Sequence, residues 1–313
     1  MSRLKPTREG YVEGLLEAGR RNSGVVVVEG DVSRSIGSAA FGEEFPDRFF
    51  NLGASEQDMM AEAAGLALAG YVPFVSTYAV FMAGRAWEQA RTGVCYMNLD
   101  VRIGGAHGGI SVGPDGATHQ ALEDIAVMRV LPNMKVLVPA DSNQTRAAVL
   151  ASLDMDGPVY IRFGRNPVPQ VYPVDSPVVP GKGNLLAEGG DITLVACGSM
   201  VAEALDASKI LAGKGIRAGV MDMVSVKPLD EELLLNQASL TGAVLVAEDH
   251  QVTGGLFGAV AEVLVSRLPV KAAAVAVMDR FGTSGPPEVV RKMYDLTSSA
   301  IVEKAERLLL RER

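Results

Sequence analysis

The sequence predicts an α/β protein of two domains, each built on a mainly parallel sheet flanked by helices. Continuous apolar runs such as residues 25–28 recur along the chain, which is typical of strands buried on both faces of a parallel sheet. Helical segments separate these runs, as in βαβ units. The 313 residues include 34 glycines, 48% hydrophobic residues and only 5% aromatic residues. This composition suits close helix–sheet packing in two domains of ordinary size.

The first predicted domain comprises residues 1–166. A helix begins after Pro6, with Thr7 as a candidate N-cap, and Asp141 is a candidate cap for a later helix. A further helix begins near Glu56. The remaining predicted strands and helices of this domain are strands at 25–28, 49–52, 72–75, 98–104, 135–138 and 159–163, and helices at 81–95 and 119–130.

Residues 167–190 are a predicted linker, because repeated prolines interrupt regular structure. The second predicted domain, residues 191–313, again alternates strands with helices and is therefore expected to be a smaller, mainly parallel α/β domain. Its predicted elements are strands at 192–196, 218–222, 243–248 and 271–277, and helices at 201–214, 231–237 and 255–267.

The net charge of −8 argues against non-specific binding to nucleic acid or to an anionic membrane. Apolar stretches stay well below the roughly 20 residues that a membrane span needs. Residues 1–5 lead into a polar helix without a signal pattern, so we expect a cytoplasmic protein. Cys95 and Cys197 lie in apolar runs and are expected to be reduced core residues. With two cysteines and three histidines, no metal site is predicted.

Residues 51–81 contain the densest functional signal. A Gly53-Ala54-Ser55 turn delivers Glu56 to the start of a helix rich in alanine and glycine. A carboxylate is favoured there by the unpaired N–H groups of the first turn. A lone glutamate in this position is most simply a first-turn residue, so its neighbours decide its interpretation.

Three segments together resemble the pyrimidine-binding domain of thiamine-diphosphate enzymes, transketolases in particular. They are GASEQDM at 53–59, VSTY at 75–78 and HGGISVGPDGATHQ at 107–120, followed by LED at 122–124 and LPNM at 131–134. The resemblance covers essentially all of this chain, but only the C-terminal half of a typical transketolase. It implies a thiamine-diphosphate-binding fold followed by a smaller, transketolase-type C-terminal domain.

The resemblance also implies a cofactor site. Glu56 would be the carboxyl group that hydrogen-bonds N1′ of the aminopyrimidine and so promotes loss of the cofactor's C2 proton. Tyr78 aligns with the aromatic residue that stacks on the pyrimidine, and Phe81 would close the same pocket. Asp31 and Val32 follow a predicted strand and are assigned to this site, since ligands of open α/β sheets bind at the carboxyl ends of strands. Without the resemblance, core packing would explain both aromatic residues.

Substrate-binding residues follow from the same resemblance. His119 would contact the carbonyl or C1 hydroxyl of the sugar donor, and Asp115 a hydroxyl at C2. His107 would hold sugar oxygens or phosphate. Imidazole titrates near pH 7, which suits proton handling. The implied catalytic set is therefore Glu56, His107, Asp115 and His119.

A phosphate site is implied by Arg8, Ser35 and Arg165, acting together with His107. The guanidinium group suits two-point contact with phosphate oxygens. Taken singly, Arg8 and Arg165 would be explained better as solvated surface charges.

One family motif is missing. Transketolases hold the cofactor's diphosphate through Mg²⁺, using oxygen ligands from a Gly-Asp-Gly motif and a later Asn. Gly30-Asp31-Val32 lacks the second glycine, and Pro114-Asp115-Gly116 lies inside the substrate segment. The chain therefore resembles one subunit of a split transketolase. We expect an N-terminal-type partner subunit that binds most of the Mg²⁺ or Ca²⁺, sugar phosphate substrates, and an α₂β₂ assembly.

Three alternatives stay open. The chain could be a β subunit of a 2-oxo-acid dehydrogenase, although the 107–120 segment fits that class poorly. A deoxyxylulose-phosphate synthase shares part of the segment but is a longer single chain. A non-catalytic regulatory subunit is the third alternative. In the second domain, Glu248-Asp249-His250 and DRFGTSG at 279–285 resemble the family but receive no catalytic role, since a helix cap, turn or subunit contact explains them.

Overall fold

The structure is a computed structural model that describes residues 4–310. Residues 1–3 lie outside the described residues. They form part of the 1–5 segment in which no signal pattern was found. Among residues 4–310, the strands form three sheets of two, five and seven strands. Helices flank the two larger sheets, and the predicted mixed α/β class is confirmed.

The strands, in chain order, are β1 (Leu4–Pro6), β2 (Val25–Glu29), β3 (Phe49–Asn51), β4 (Val72–Tyr78), β5 (Arg102–Ala106), β6 (Lys135–Leu137), β7 (Val159–Phe163), β8 (Pro167–Pro169), β9 (Asn184–Ala187), β10 (Ile192–Ala196), β11 (Ala218–Asp222), β12 (Ser225–Lys227), β13 (Ala243–Gln251) and β14 (Lys271–Val277).

The α-helices are α1 (Thr7–Arg21), α2 (Ser33–Ile36), α3 (Ala39–Glu44), α4 (Glu56–Leu68), α5 (Ala79–Arg85), α6 (Trp87–Gln89), α7 (Asp124–Arg129), α8 (Ser142–Ser152), α9 (Met200–Gly213), α10 (Glu231–Thr241), α11 (Leu256–Arg267), α12 (Pro287–Met293) and α13 (Ser298–Leu310). A π-helical turn continues α6 at Ala90–Cys95, and 3₁₀ segments lie at Pro46–Arg48 and Ile110–Asp115.

The seven-stranded sheet has the order β12-β6-β7-β5-β4-β2-β3. Its neighbours pair in parallel, except that β12 is antiparallel to β6. Strands β2, β5 and β7 are buried along their whole length, which explains why their sequences are mainly apolar or small, apart from Glu29, Arg102 and Arg162. Because these strands are parallel, the loops that follow β2, β3, β4, β5 and β7 emerge on one edge of the sheet.

The five-stranded sheet has the order β14-β13-β10-β11-β9. It is parallel apart from β9, so the prediction of a second, mainly parallel unit is confirmed. The two halves of the chain are interlocked at the level of strands: β12, from the second half, completes the first sheet, and β9, from the proline-containing linker, completes the second. The division at 1–166, 167–190 and 191–313 stays a prediction.

Several local predictions need correction. Thr7 is the first residue of α1 rather than its cap, and its hydroxyl bonds the backbone of Gly164 instead. The predicted strand at 98–104 begins at Arg102, since Asn98 lies in a turn with φ 53°. The helix predicted at 81–95 is divided into α5, α6 and the π-helical turn.

The helix predicted at 119–130 is reduced to α7. The backbone before it is used by the preceding loop, because Ala121 forms an isolated bridge with Gly108 and accepts a hydrogen bond from Gly109. Other expectations are confirmed: Asp141 caps α8 by accepting from the Gln144 N–H, and Cys95 and Cys197 are free and buried. Within residues 4–310, the structure contains no helix long and apolar enough to cross a membrane.

Candidate active site

The candidate residues gather at the carboxyl edge of the seven-stranded sheet. Asp31 follows β2, Tyr78 ends β4, His107 follows β5 and Arg165 follows β7. Glu56 follows β3 after a short turn. This edge is where open α/β sheets bind ligands, because loops from neighbouring strands meet there.

Glu56 is the first residue of α4, and only 4% of its surface is exposed. Its carboxylate therefore lies near the positive end of a helix. The one guanidinium that reaches it within the described residues is that of Arg85, whose Nη1 lies 3.2 Å from both carboxylate oxygens. An open depression of about 530 Å³ borders this pair, in which Arg85 is the solvent-exposed partner. It is lined by Ala54, Ser55, Glu56, Gln57, Asp58, Gly84 and Arg85.

Aromatic rings form the wall next to Glu56. The rings of Tyr78 and Phe81 are 6.0 Å apart and nearly parallel, and the Arg85 guanidinium lies 4.1 Å above the Phe81 ring. The His119 ring meets the Phe81 ring edge-on at 5.2 Å. The structure thus brings the two predicted pyrimidine-binding aromatic residues together with a predicted substrate-binding histidine.

His107 lies next to Tyr78 at the same edge of the sheet. It adopts a left-handed backbone conformation (φ 58°), is 1% exposed, and packs 4.6 Å from the Tyr78 ring. Burial, together with the nearby charges of Arg165 and Arg8, lowers its pKa to about 3. The sequence predicted an imidazole that changes charge near pH 7; His107 instead stays neutral there. Both of its ring nitrogens are buried and lack a hydrogen-bond partner among residues 4–310.

The predicted phosphate-binding residues lie together around His107. Arg8 Nη1 donates to the Ser35 carbonyl at 2.8 Å, and the Tyr78 hydroxyl donates to Ser35 Oγ at 2.8 Å. Arg165 pairs with Asp115, with Nη1 and Oδ2 3.1 Å apart. Two guanidinium groups therefore flank a neutral histidine and a hydroxyl group. This arrangement suits an anionic oxygen group.

Asp31 and Val32 lie at the rim of the site rather than beside Glu56. Asp31 is exposed with φ 62°, and its N–H donates to Asn51 Oδ1 at 3.0 Å. The same oxygen accepts from the Gly53 N–H at 3.1 Å, so Asn51 ties Asp31 to the turn that precedes Glu56. Val32 is half-buried and is the N-cap residue of α2.

Sequence reasoning missed Arg85 and Asn51. Arg85 lies four residues after Phe81 on one helix, and this spacing places the two side chains on the same face. That pattern alone predicts a surface contact, and only the fold brings α5 against the start of α4. For metals, residues 4–310 contain no group of three or more His, Cys, Asp or Glu side chains that could hold an ion.

Two family models match the chain. The model of the transketolase pyrimidine-binding domain covers residues 5–170, and that of the transketolase C-terminal domain covers residues 181–301. The chain belongs to the transketolase family. The first match contains the whole cluster just described, from Arg8 to Arg165, and this family domain implies thiamine diphosphate as the cofactor.

Individual transketolase relatives cover nearly the whole chain. A protein described as "Putative transketolase C-terminal section" from Methanocaldococcus jannaschii is 42% identical over 303 residues, or 96% of this chain and 95% of that protein. The 6-deoxy-6-sulfo-D-fructose transketolase subunit SqwH of Clostridium sp. (strain MSTE9) is 39% identical over 305 residues, or 97% and 95%. A solved structure of a split gene transketolase, an inactive beta4 tetramer, matches with a TM-score of 0.90 and 47% identity, over 98% of this chain and 99% of that chain. The predicted fold class, a pyrimidine-binding domain with a transketolase C-terminal domain, is confirmed.

Proposed function

We propose that this chain is the C-terminal-type subunit of a two-polypeptide transketolase. The enzyme transfers a two-carbon ketol unit from a ketose phosphate to an aldose phosphate and uses thiamine diphosphate. One observation carries the proposal: the Glu56 carboxylate borders an open depression and is connected, through the contacts of Arg85, Phe81 and Tyr78, to the anion-binding cluster around His107. Residues 1–166 then form the pyrimidine-binding domain, 167–190 the linker and 191–313 the C-terminal domain.

The residues around Glu56 fit the pyrimidine end of this cofactor. A buried carboxyl group, the faces of Tyr78 and Phe81, and a depression of about 530 Å³ provide a hydrogen-bonding edge and a stacking surface. When bound, thiamine diphosphate supplies the electron sink for breaking the bond beside the ketose carbonyl. Glu56 holds and exchanges a proton at N1′ of the pyrimidine, and Tyr78 orients the ring. Asp31 and Val32 border the cofactor at the rim.

The remaining residues act on the sugar. His119 is half-buried beside Phe81 and contacts the donor's carbonyl or C1 hydroxyl, while Asp115 contacts a hydroxyl at C2. Arg8, Ser35 and Arg165 bind the terminal phosphate together with neutral His107. Since the SqwH relative is named for a sulfonated sugar, the terminal anion of this chain's substrate is best identified by comparing phosphate with sulfonate.

The partner is an N-terminal-type subunit that binds most of the Mg²⁺ or Ca²⁺ in a cytoplasmic α₂β₂ enzyme. The missing Gly-Asp-Gly motif and the similarity to a "C-terminal section" and a split gene transketolase support this proposal.

The test is a reconstitution. The purified chain, the N-terminal-type subunit and their mixture are assayed with thiamine diphosphate, Mg²⁺ and a panel of phosphorylated and sulfonated ketoses with aldose phosphates. We expect ketol transfer by the mixture alone, and weak cofactor binding by the single chain. Full turnover by the single chain would refute the two-subunit proposal. An assembled mixture that is inactive with every donor would refute the transketolase assignment.

A further inference from the structure

The second half of the chain reaches the candidate site through Glu248-Asp249-His250, a run of buried polar residues at the end of β13. Its first member has an internal role: the Glu248 carboxylate accepts from the N–H groups of Leu256 and Phe257, at 2.7 and 2.9 Å, and so caps α11. This matches the helix-cap explanation given by the sequence. The other two members face the pyrimidine-binding half of the chain.

Asp249 binds the segment that carries the substrate residues. Its Oδ1 accepts from the Ile110 N–H at 2.9 Å, at the start of the 3₁₀ turn Ile110–Asp115. The carboxylate also lies directly against Gly109, where a Cβ atom would come within 2.2 Å of Oδ2. With φ 91°, Gly109 is in a conformation that glycine adopts readily. Glycine at this position thus permits the backbone to approach the carboxylate.

A second clamp holds the same turn from the opposite side. Gln120 Nε2 donates to the Ile110 carbonyl and to the Thr283 carbonyl, each at 2.9 Å. Thr283 belongs to the 279–285 loop of the second half, which received no function from the sequence. The Gly285 N–H also approaches the Gly113 carbonyl at 3.4 Å. The turn that ends in Asp115 is therefore fastened at several points to the C-terminal half of the chain.

The platform behind these clamps is charged and buried. Arg162 Nε donates to Asp124 Oδ2 at 2.8 Å, and Arg162 Nη2 donates to the carbonyls of Ala121 and Asp249, each at 2.9 Å. Removing one partner of a buried charge pair is costly, because it leaves the other charge buried and unpaired. Asp249 thus projects from a rigid base, while the turn it holds is rich in glycine and has little regular structure of its own.

We propose that Asp249 is a positioning residue for substrate binding: it holds the 109–115 turn so that Asp115 and the adjacent His107 and His119 face the sugar. This inference rests on the proposed substrate roles of those three residues. It gives the C-terminal half a part in the active site although that half contacts no reacting atom. Ordering a glycine-rich segment in advance lowers the entropic cost of binding and aligns the reacting groups.

The test compares three variants of the two-subunit enzyme. Asp249→Ala removes the acceptor, Asp249→Asn keeps an acceptor oxygen of the same size, and Asp230→Ala is the matched control. Asp230 is also a buried carboxylate in the second half and accepts from the N–H groups of Leu233 and Gly183, each at 3.1 Å, but it contacts no part of the substrate turn. Its loss tests what general destabilisation does to activity.

We expect Asp249→Ala to raise the KM for the ketose donor and to lower kcat/KM about 10- to 100-fold, the effect of losing a hydrogen bond to a charged group. The affinity for thiamine diphosphate should be unchanged, since Glu56, Tyr78 and Phe81 lie on α4, β4 and α5, outside the 109–115 turn. Asp249→Asn should restore most of kcat/KM. Asp230→Ala should lower the melting temperature without a selective change in donor KM. An unchanged donor KM in Asp249→Ala, or an equal change in Asp230→Ala, would overturn the proposal.

A second variant keeps the proposal testable if Asp249→Ala fails to fold. Gln120→Leu removes both hydrogen bonds of the other clamp without touching the buried charges, and it should give the same selective rise in donor KM. If it folds and binds donor normally, the clamps do not position the site.

Hydrogen exchange on the single chain separates this inference from the proposed function. Amides 109–115 should exchange faster in Asp249→Ala than in the wild type and nearly normally in Asp249→Asn, whether or not the enzyme transfers ketol units. An inactive wild-type mixture would refute the proposed function alone. Equal exchange in all three proteins would refute the positioning role alone.

Discussion

The two sides of the candidate site differ in how completely this chain builds them. On the cofactor side, Glu56 and Arg85 face an open depression, and Arg85 keeps 55% of its side-chain surface exposed. On the substrate side, hydrogen bonds connect Arg8, Ser35 and Tyr78 around a histidine that is 1% exposed. The cofactor side therefore opens to solvent at Arg85, whereas the substrate side is organised around a buried histidine.

This difference indicates that the cofactor side is where a second polypeptide is needed. The substrate side is already ordered by contacts within the chain, so substrate binding there costs little reorganisation. The cofactor side buries the Glu56 carboxylate but leaves its partner Arg85 open to water, which weakens the contact between them. A partner that covers the depression would exclude that water. Four experiments test this division, from the largest expected effect to the smallest.

The Glu56→Gln substitution should have the largest effect. Glutamine keeps the size and can accept from Arg85, so the fold and the assembly should survive. It cannot hold and exchange a proton at N1′ of the cofactor, and kcat of the two-subunit enzyme should fall at least about 100-fold. Hydrogen–deuterium exchange at C2 of the bound cofactor, measured by NMR after acid quench, is the direct readout. Wild-type exchange rates would mean that Glu56 does not activate the cofactor.

The Arg165→Ala substitution should weaken the substrate side selectively. Loss of a charged hydrogen bond is worth about 1.5–3 kcal/mol, or about 10- to 150-fold in kcat/KM. The loss should appear mainly as a higher KM for phosphorylated ketoses. Arg217→Ala, which removes a surface arginine beside Asp191, is the control. Equal losses on phosphorylated and unphosphorylated ketoses would contradict a phosphate-binding role.

The Arg85→Met substitution should affect only the cofactor side, and it should strengthen cofactor binding rather than weaken it. Arg85 occupies both oxygens of Glu56, so the pyrimidine must compete with it. Since an ion pair with one solvent-exposed partner is worth up to about 1 kcal/mol, removing Arg85 should tighten cofactor binding by up to about fivefold. Calorimetry of the two-subunit complex gives the affinity, with Arg20→Met, which breaks the exposed pair with Glu44, as the control. Weaker binding in Arg85→Met would show that Arg85 supports the cofactor instead.

The Glu29→Gln substitution tests whether a fully buried carboxyl group contributes to stability alone or also to catalysis. Glu29 ends β2, is 0% exposed, and receives a hydrogen bond from Ser38. Burial raises its pKa to about 8. The folded protein therefore retains a proton that the unfolded chain releases above its ordinary pKa of 4.5, and this contribution to stability is lost as pH rises toward 8.

For one such group, the free energy of unfolding falls by about 1.4 kcal/mol per pH unit between those two values. Glu29→Gln should abolish this dependence while kcat stays near the wild-type value. Denaturant unfolding of both proteins at pH 5, 6, 7 and 8 measures the slope. Parallel stability curves would mean that Glu29 is ionised in the folded state, and a large loss of kcat would place it in the catalytic machinery.

The sequence by itself determined the strand–helix alternation, because strands buried on both faces must be apolar throughout and helices must pack on them. It also located Glu56, Tyr78 and His107 at strand ends, where loops of a parallel sheet meet. The sequence did not predict the boundaries of the helix expected at 119–130, which begins at Asp124. The backbone there is used by the substrate loop, a contact between segments that local propensity does not encode.

Only the tertiary structure decided which side chains meet. Arg85 reaches Glu56 because α5 packs beside the start of α4, and Asp249 reaches Ile110 across 139 residues of chain. The neutral state of His107 also depends on the fold, since burial and two converging arginines lower its pKa. The pattern of apolar and polar side chains follows the periodicity of each helix or strand, so it can be recognised in the sequence. Distances between side chains, burial and pKa shifts arise only when distant segments pack together.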